Sequence, residues 1–150
     1  RKIVIVSSAP QIRYPDCYGI DMAKLGDFIA FQAAVDLLKD QNKTSILDEV
    51  YQLCKTAEIE GKLKEENFVK RIYESFSYEE VSKKIAFLLT NENINAEVEI
   101  IFQTVSNLHK ACPNHTGDWY FTGNYPTPGG NKVVNKSFIN YIEGVNKRAY

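Results

Sequence analysis

Several features that mark large protein classes are scarce or missing in this 150-residue chain. The chain has eighteen basic and nineteen acidic side chains, and the resulting formal charge of −1 creates no strong field to attract nucleic acid or an anionic membrane. No apolar run approaches the roughly 20 residues of a membrane span, and no charged segment followed by an apolar one forms a leader. The composition therefore predicts a soluble cytoplasmic protein that binds neither nucleic acid nor membrane.

Cysteine is also scarce. The chain has three cysteines, Cys17, Cys54 and Cys112. An odd number at wide spacing does not predict a disulfide framework. We therefore expect reduced thiols.

Zinc binding is one alternative role for Cys112. In HKACPNH, residues His109, Cys112 and His115 are spaced by three and are of types that zinc accepts. Asp118 is the nearest candidate for a fourth ligand, and Pro113 should end a helix before His115. We expect a buried cysteine beside two ordinary histidines, and no metal.

The most specific stretch of the chain is SSAPQIRYPDCYGIDM, Ser7–Met22. It follows KIVIV at Lys2–Val6, a β-branched run typical of a parallel strand buried on both faces. Pro10 and Pro15 prevent a helix there, and Gly19 permits a sharp turn. Open α/β folds place ligands in loops at the carboxyl ends of parallel strands. A binding loop and a plain polar crossover both fit this pattern.

Apolar residues at helical spacing predict four helices after this loop. They are a helix over about Met22–Asp40, one capped by Thr44 or Ser45 and ending before Gly61, a short one through Phe68, Ile72 and Phe76, and one that begins with the capping-box pair Ser77 and Glu80 and continues through Leu88.

The pattern changes near Ala96, where VEIIFQ predicts a strand over about Glu97–Gln103 and a helix to about Cys112. The aromatic run Trp119–Tyr125 is strand-like, and its rings either pack on helices or stack nucleobases. Pro126, Pro128, Gly129 and Gly130 predict a turn or exposed loop. A final helix through Phe138, Ile139, Ile142 and Val145 is expected to be free to dock on another domain or subunit.

Three separated segments resemble one protein family. They are VIVSSAPQIRYPDCYGIDMAKLGDFIA (Val4–Ala30), IIFQTV (Ile100–Val105) and YFTGNYPTPGG (Tyr120–Gly130). Together they are similar to the region that follows the phosphoribosyl pyrophosphate loop of amidophosphoribosyltransferases, the glutamine-dependent enzymes that open purine synthesis. The order of the three segments is more specific than any one of them.

This resemblance implies an α/β fold, with the last core strand of a type I phosphoribosyltransferase-like domain followed by a mostly helical C-terminal region with a second short strand-helix unit. Residues 1–40 would be the end of the transferase core, as a strand, a loop and a helix. Residues 41–150 would be the C-terminal helical region, with strands near 97–103 and 119–125.

The family's catalytic machinery is not found in this sequence. The chain begins with Arg1 rather than the cysteine that cuts glutamine, and it has neither the paired aspartates nor the small-residue loop that holds phosphate. We therefore expect a C-terminal fragment of a longer enzyme, with no catalytic residue of its own and no activity alone.

The resemblance also implies which cofactors the parent enzyme uses. Magnesium would neutralise the charge of the departing pyrophosphate, with its ligands outside this chain. Some relatives hold an iron–sulfur cluster with a cysteine just before Tyr-Gly-Ile-Asp and a Cys-x-x-Cys pair before Phe-Thr-Gly. Cys17 lies one residue out of that register, and Gly117 and Tyr120 stand where the pair would be. Since neither can replace a thiolate, we expect the cluster-free branch.

The site residues that the resemblance implies lie in the Ser7–Met22 loop and would form a wall of the substrate pocket or ammonia channel. They are Arg13, Tyr18, Gly19 and Asp21. Arg13 suits a phosphate, Tyr18 would seal the pocket from water, and Asp21 suits a ribose hydroxyl or, equally well, the N-cap of the next helix.

The implied partners are phosphoribosyl pyrophosphate, glutamine and purine nucleotides, together with further copies of the chain in a homo-oligomer. The alternative is a non-catalytic nucleotide-binding, regulatory or structural domain, because end-product nucleotides commonly inhibit this family. Binding of purine nucleotides to the chain would separate a regulatory domain from a structural one.

Overall fold

The computed structural model describes residues 1–18, 22–90, 93–114 and 117–149. Its strands are β1 (Lys2–Ser7) and β2 (Glu97–Phe102), and its helices are α1 (Ile29–Asp40), α2 (Ser45–Ile59), α3 (Lys70–Tyr73), α4 (Tyr78–Leu89), α5 (Val105–Ala111), α6 (Trp119–Thr122) and α7 (Pro128–Ile142). The fold is mixed α/β and mostly helical. Over the described residues, no helix is long and apolar enough to cross a membrane.

The two strands pair in parallel, as the α/β prediction requires. Their register runs from Lys2 opposite Glu97 to Ser7 opposite Phe102. The connection between them carries α1 to α4, and α4 packs against both β2 and α1. The carboxyl ends of both strands therefore open on the same side of the molecule, where the Ser7–Met22 loop begins.

The prediction that Lys2–Val6 is buried on both faces is wrong for this chain. Ile3, Val4 and Ile5 are about half exposed, and Val6 is 72% exposed. The reason is that α4 packs on β2, while over the described residues the sheet has no further strand beside β1. One face of β1 is only partly covered and the other is open.

The apolar core contains residues that precede residue 40 in the sequence and residues that follow it. Its fully buried side chains include Phe31, Leu38, Val50, Ile72, Ile85, Val134, Phe138 and Ile139. Phe31 of α1 meets Phe138 of α7 edge to face, with 6.2 Å between ring centroids. The expectation that the final helix is free to dock elsewhere is therefore wrong for Phe138 and Ile139, which complete this core, whereas Ile142 and Val145 are each 38% exposed.

Several predicted helix starts are confirmed, but one is not. Ser77 and Glu80 form the predicted capping box at α4, with reciprocal bonds of 3.1 and 2.7 Å between each side chain and the other's backbone N–H. Thr44 precedes α2, although its side chain makes no capping bond. The helix predicted from Met22 begins only at Ile29, since a separate 3₁₀ turn at Leu25–Asp27 ends in an extended Phe28.

The aromatic run predicted as a strand is instead the short helix α6. Asp118 C=O accepts bonds from the N–H groups of Phe121 and Thr122, and Gly123 closes the turn with a φ of 69°. Pro128, predicted to lie in a loop, begins α7, where proline's missing N–H costs nothing. The helical turns are set by Gly123 and Pro128 rather than by the strand propensity of the aromatic residues.

Candidate functional site

The Ser7–Met22 loop is anchored to the first turns of α4. Ser7 Oγ turns the chain by donating to Ala9 C=O and accepting from Ala9 N–H. Gln11 is buried, and its backbone N–H donates to Tyr78 Oη at 2.9 Å. Its Nε2 donates to Tyr78 C=O at 3.0 Å and to Ser82 Oγ at 2.7 Å. A distant helix therefore fixes the conformation of the loop.

Arg13 is held in place by neutral groups. Its Nε and Nη2 donate to Gln11 Oε1 at 3.0 and 2.7 Å. The guanidinium carbon lies 4.8 Å from the Tyr73 ring centroid and 5.2 Å from that of Tyr78, within cation–π range. Among the described residues, no carboxylate lies within ion-pair distance of Arg13. Its positive charge is therefore oriented but not neutralised.

Asp16 is a fully buried carboxylate at the centre of the loop. Its Oδ2 accepts from the Tyr18 N–H at 2.8 Å, and its Oδ1 accepts from Tyr120 Oη at 2.8 Å. Burial and the adjacent carboxylate raise the pKa of Tyr120 to about 12. Asp16 was not among the predicted site residues, because a Pro-Asp pair in a loop does not reveal whether the carboxylate is buried.

The segment Tyr120–Gly130 lies directly against this loop. Tyr120 C=O accepts from the N–H groups of Arg13 and Tyr14 at 2.8 and 3.1 Å. Tyr125 Oη donates to Pro15 C=O at 2.7 Å, and burial raises the pKa of Tyr125. The structure thus brings two of the three family-like segments into contact. The third, Ile100–Val105, includes the second half of β2, which pairs with β1.

Two glycines permit this close approach. Gly123 has a left-handed φ, and a Cβ there would lie 2.6 Å from the Asn67 Nδ2 that donates to Gly123 C=O. At Gly130, a Cβ would overlap the Tyr125 ring. Gly123 is therefore required for its backbone angle and for space, and Gly130 is required for space alone.

The predicted site residues Arg13 and Tyr18 face different neighbours. Arg13 packs on Tyr73 and Tyr78, whereas Tyr18 is 62% exposed and meets Trp119 edge to face at 5.8 Å between centroids. The predicted site residues Gly19 and Asp21 lie outside the described residues. The described part of the loop thus has an inner side around Arg13 and an outer side around Tyr18.

The part of the chain that the structure describes contains no group of side chains suited to binding a metal ion. No three His, Cys, Asp or Glu side chains there come together in a way that could hold an ion. His109 Nε2 lies 3.0 Å from Asp118 Oδ2, and His115 is outside the described residues. Cys112 was expected to be buried but is exposed, because α5 has no buried residue. Cys17 is half-buried, which raises the pKa of its thiol.

No known protein family, curated protein or solved structure matches the chain. What the chain does is therefore inferred from the geometry at the carboxyl ends of β1 and β2. That geometry combines an oriented, unneutralised arginine, a buried carboxylate and exposed aromatic rings. Such a set can bind an anion and a planar group, but in the described residues it offers no nucleophile with a partner base.

Proposed function

We propose that this chain is the carboxyl-terminal part of an amidophosphoribosyltransferase of the cluster-free branch. The parent transferase would displace pyrophosphate from phosphoribosyl pyrophosphate with ammonia freed from glutamine, giving 5-phosphoribosylamine for purine synthesis. The observation that carries the proposal is that the Val4–Ala30 segment contacts both other family-like segments. It pairs with Ile100–Val105 through β1 and β2, and its Arg13–Pro15 loop bonds to Tyr120 and Tyr125. This loop leaves the carboxyl end of β1, where open α/β folds bind their ligands.

The exposure of β1 supports a larger parent sheet. Strands of parallel sheets are normally covered on both faces, yet Val4 is about half exposed and Val6 is 72% exposed here. Arg1 and Ser7 accept hydrogen bonds from β2, and successive residues of a strand alternate in the direction of their backbone groups. The intervening residues Lys2, Val4 and Val6 therefore direct their backbone N–H and C=O groups away from β2. We infer that the remaining strands of a type I phosphoribosyltransferase-like sheet pair with this edge.

Arg13 is proposed to contact a phosphate of the substrate. Two of its five N–H donors are used by Gln11, which leaves three for an anion. Tyr18, on the outer side of the loop, is proposed to seal the substrate pocket or the ammonia channel from water, and Gly19 and Asp21 to form part of its wall. Magnesium would supply charge neutralisation at the pyrophosphate, held by groups outside these 150 residues.

Kinetics of the complete enzyme test the role of Arg13. Arg13→Ala should weaken binding of phosphoribosyl pyrophosphate by about 1 kcal/mol or more, because a charge-assisted bond is lost. Arg13→Lys should recover part of the loss, since it restores charge without the planar fork. Arg71→Ala is the matched control, because Arg71 is an exposed arginine whose nearest carboxylate, Glu66, is 3.6 Å away.

The readout is pyrophosphate release, measured with glutamine and again with ammonium as nitrogen donor. An unchanged KM in Arg13→Ala would remove Arg13 from the site. A complete protein that releases no pyrophosphate with either donor would reject the transferase proposal itself.

A nucleotide-binding regulatory domain is the second candidate. The exposed Tyr18 ring beside Trp119 favours it, because a nucleobase can stack on such a surface. Calorimetric titration of purine nucleotides into the 150-residue chain tests this role. Saturable heat that Tyr18→Ala abolishes would support it, and absence of heat would leave the chain with a structural and substrate-pocket role.

A further inference from the structure

A groove of about 700 Å³ runs along the edge of β2 that faces away from β1. Its lining comes from one side of α4 and from β2, with Lys2 alone from β1. Phe87 of α4 contributes an apolar wall and is 68% exposed, and Ile101 is about half exposed. We call this feature the β2 groove. It is distinct from the Ser7–Met22 loop and from the free edge of β1.

The backbone along the groove has unused hydrogen-bonding capacity. Glu97 and Gln103 donate to β1 through their N–H groups, so the alternate residues Val98, Ile100 and Phe102 direct N–H and C=O away from it. In the described part of the chain, no hydrogen bond reaches these groups from the groove side. An added strand would satisfy them, which is the usual basis of recognition by strand addition.

A second copy of the chain does not fit this groove through two-fold pairing of β2 with itself. Such pairing would place both α4 helices on the same face of one continuous sheet. Each α4 contacts its own β2 and lines the groove, so the two helices would compete for the space above two strands that lie only about 4.8 Å apart. Packed helices need about 8–10 Å. The occupant is therefore a strand without a helix over it.

The charge on the open face of β2 indicates which side chains the added strand should carry. Glu97 and Glu99 both pair with Lys2, at 3.5 and 2.6 Å, which leaves one net negative charge on these three side chains. On the opposite side, α4 lines the groove with the apolar Ala86 and Phe87 and with Glu79 and Lys83, whose opposite charges leave the net charge of the groove negative. We propose that the β2 groove binds an extended peptide segment whose apolar residues face α4 and whose alternate, basic residues face Glu97 and Glu99.

Fluorescence anisotropy on the 150-residue chain tests the proposal with synthetic probes. A labelled Lys-Val-Lys-Val-Lys-Val peptide should bind saturably, whereas Lys-Lys-Lys-Val-Val-Val, of the same composition, should bind at least tenfold more weakly. Phe87→Ser should weaken the alternating peptide at least tenfold. Ile59→Ser is the matched control, because Ile59 is an apolar residue at the end of α2 that is 85% exposed and lies outside the groove.

Three results would overturn the proposal. Equal binding of the two lysine peptides would mean that their total charge, and not their alternating pattern, determines binding. Equal binding of Glu-Val-Glu-Val-Glu-Val would mean that Glu97 and Glu99 do not select basic residues. A dimer in light scattering that Phe87→Ser dissociates would assign the groove to a second copy instead. Circular dichroism of each variant confirms that lost binding is not lost folding. None of these readouts depends on the proposed transferase function.

Discussion

At the scale of single residues, the buried carboxylate of Asp16 organises the candidate site. Replacing Asp16 with Ala leaves the Tyr120 hydroxyl and the Tyr18 N–H without their acceptor. We expect Asp16→Ala to lower the free energy of unfolding by about 1–3 kcal/mol, measured by urea denaturation. Asp16→Asn keeps an acceptor oxygen and should cost less, and Asp48→Ala, on the exposed face of α2, should cost little. Equal losses in all three variants would contradict this role.

The hydroxyl of Tyr120 gives a prediction for alkaline pH. Burial, followed by the bond to Asp16, raises the pKa of Tyr120 to about 12, above the value of about 10 for a free tyrosine. The neutral phenol therefore stabilises the fold below about pH 10, and this contribution is lost as the pH rises towards 12. Urea unfolding across this range should show a shallower fall in stability for Tyr120→Phe than for the wild type. Parallel curves would exclude the effect.

At the scale of elements, the capping box of α4 supports both the core and the loop, because α4 holds Gln11 through Tyr78. Ser77→Ala removes the bond to the Glu80 N–H and should cost about 1 kcal/mol of unfolding free energy. Thr44→Ala is the matched control at α2, where the threonine makes no capping bond. Urea denaturation compares the two variants. A loss in Thr44→Ala as large as that in Ser77→Ala would contradict the capping argument.

Some elements could be predicted because their signals are local. The box at Ser77 and Glu80 and the β-branched run of β2 each specify their structure within a few residues. The helix at Trp119 and the start of the final helix at Pro128 could not be predicted, since short aromatic runs fit a strand or a helix and only Gly123 closes the turn. In the loop, Arg13 is predicted as a site residue from its charge and from the family resemblance. Its partners Tyr73 and Tyr78 are about sixty residues away, and no local pattern reveals them.

At the scale of the whole molecule, the proposed larger sheet would place a further strand beside β1. Val6→Lys should change the unfolding free energy of the 150-residue chain by less than about 0.5 kcal/mol, because Val6 is exposed there. In the complete enzyme the same change should cost several-fold more, because an added strand and its cover would bury the lysine charge. Thermal and urea unfolding of both proteins measure the difference. Equal effects in the two proteins would mean that Val6 stays exposed.

We propose that this chain belongs to a longer transferase, and determining the complete reading frame that contains Arg1 is the experiment that decides the matter. We expect a continuous frame upstream of Arg1 that encodes a strand ending in paired aspartates, a small-residue phosphate loop and an amino-terminal cysteine. A start codon immediately before Arg1, or an upstream sequence without these motifs, would contradict it.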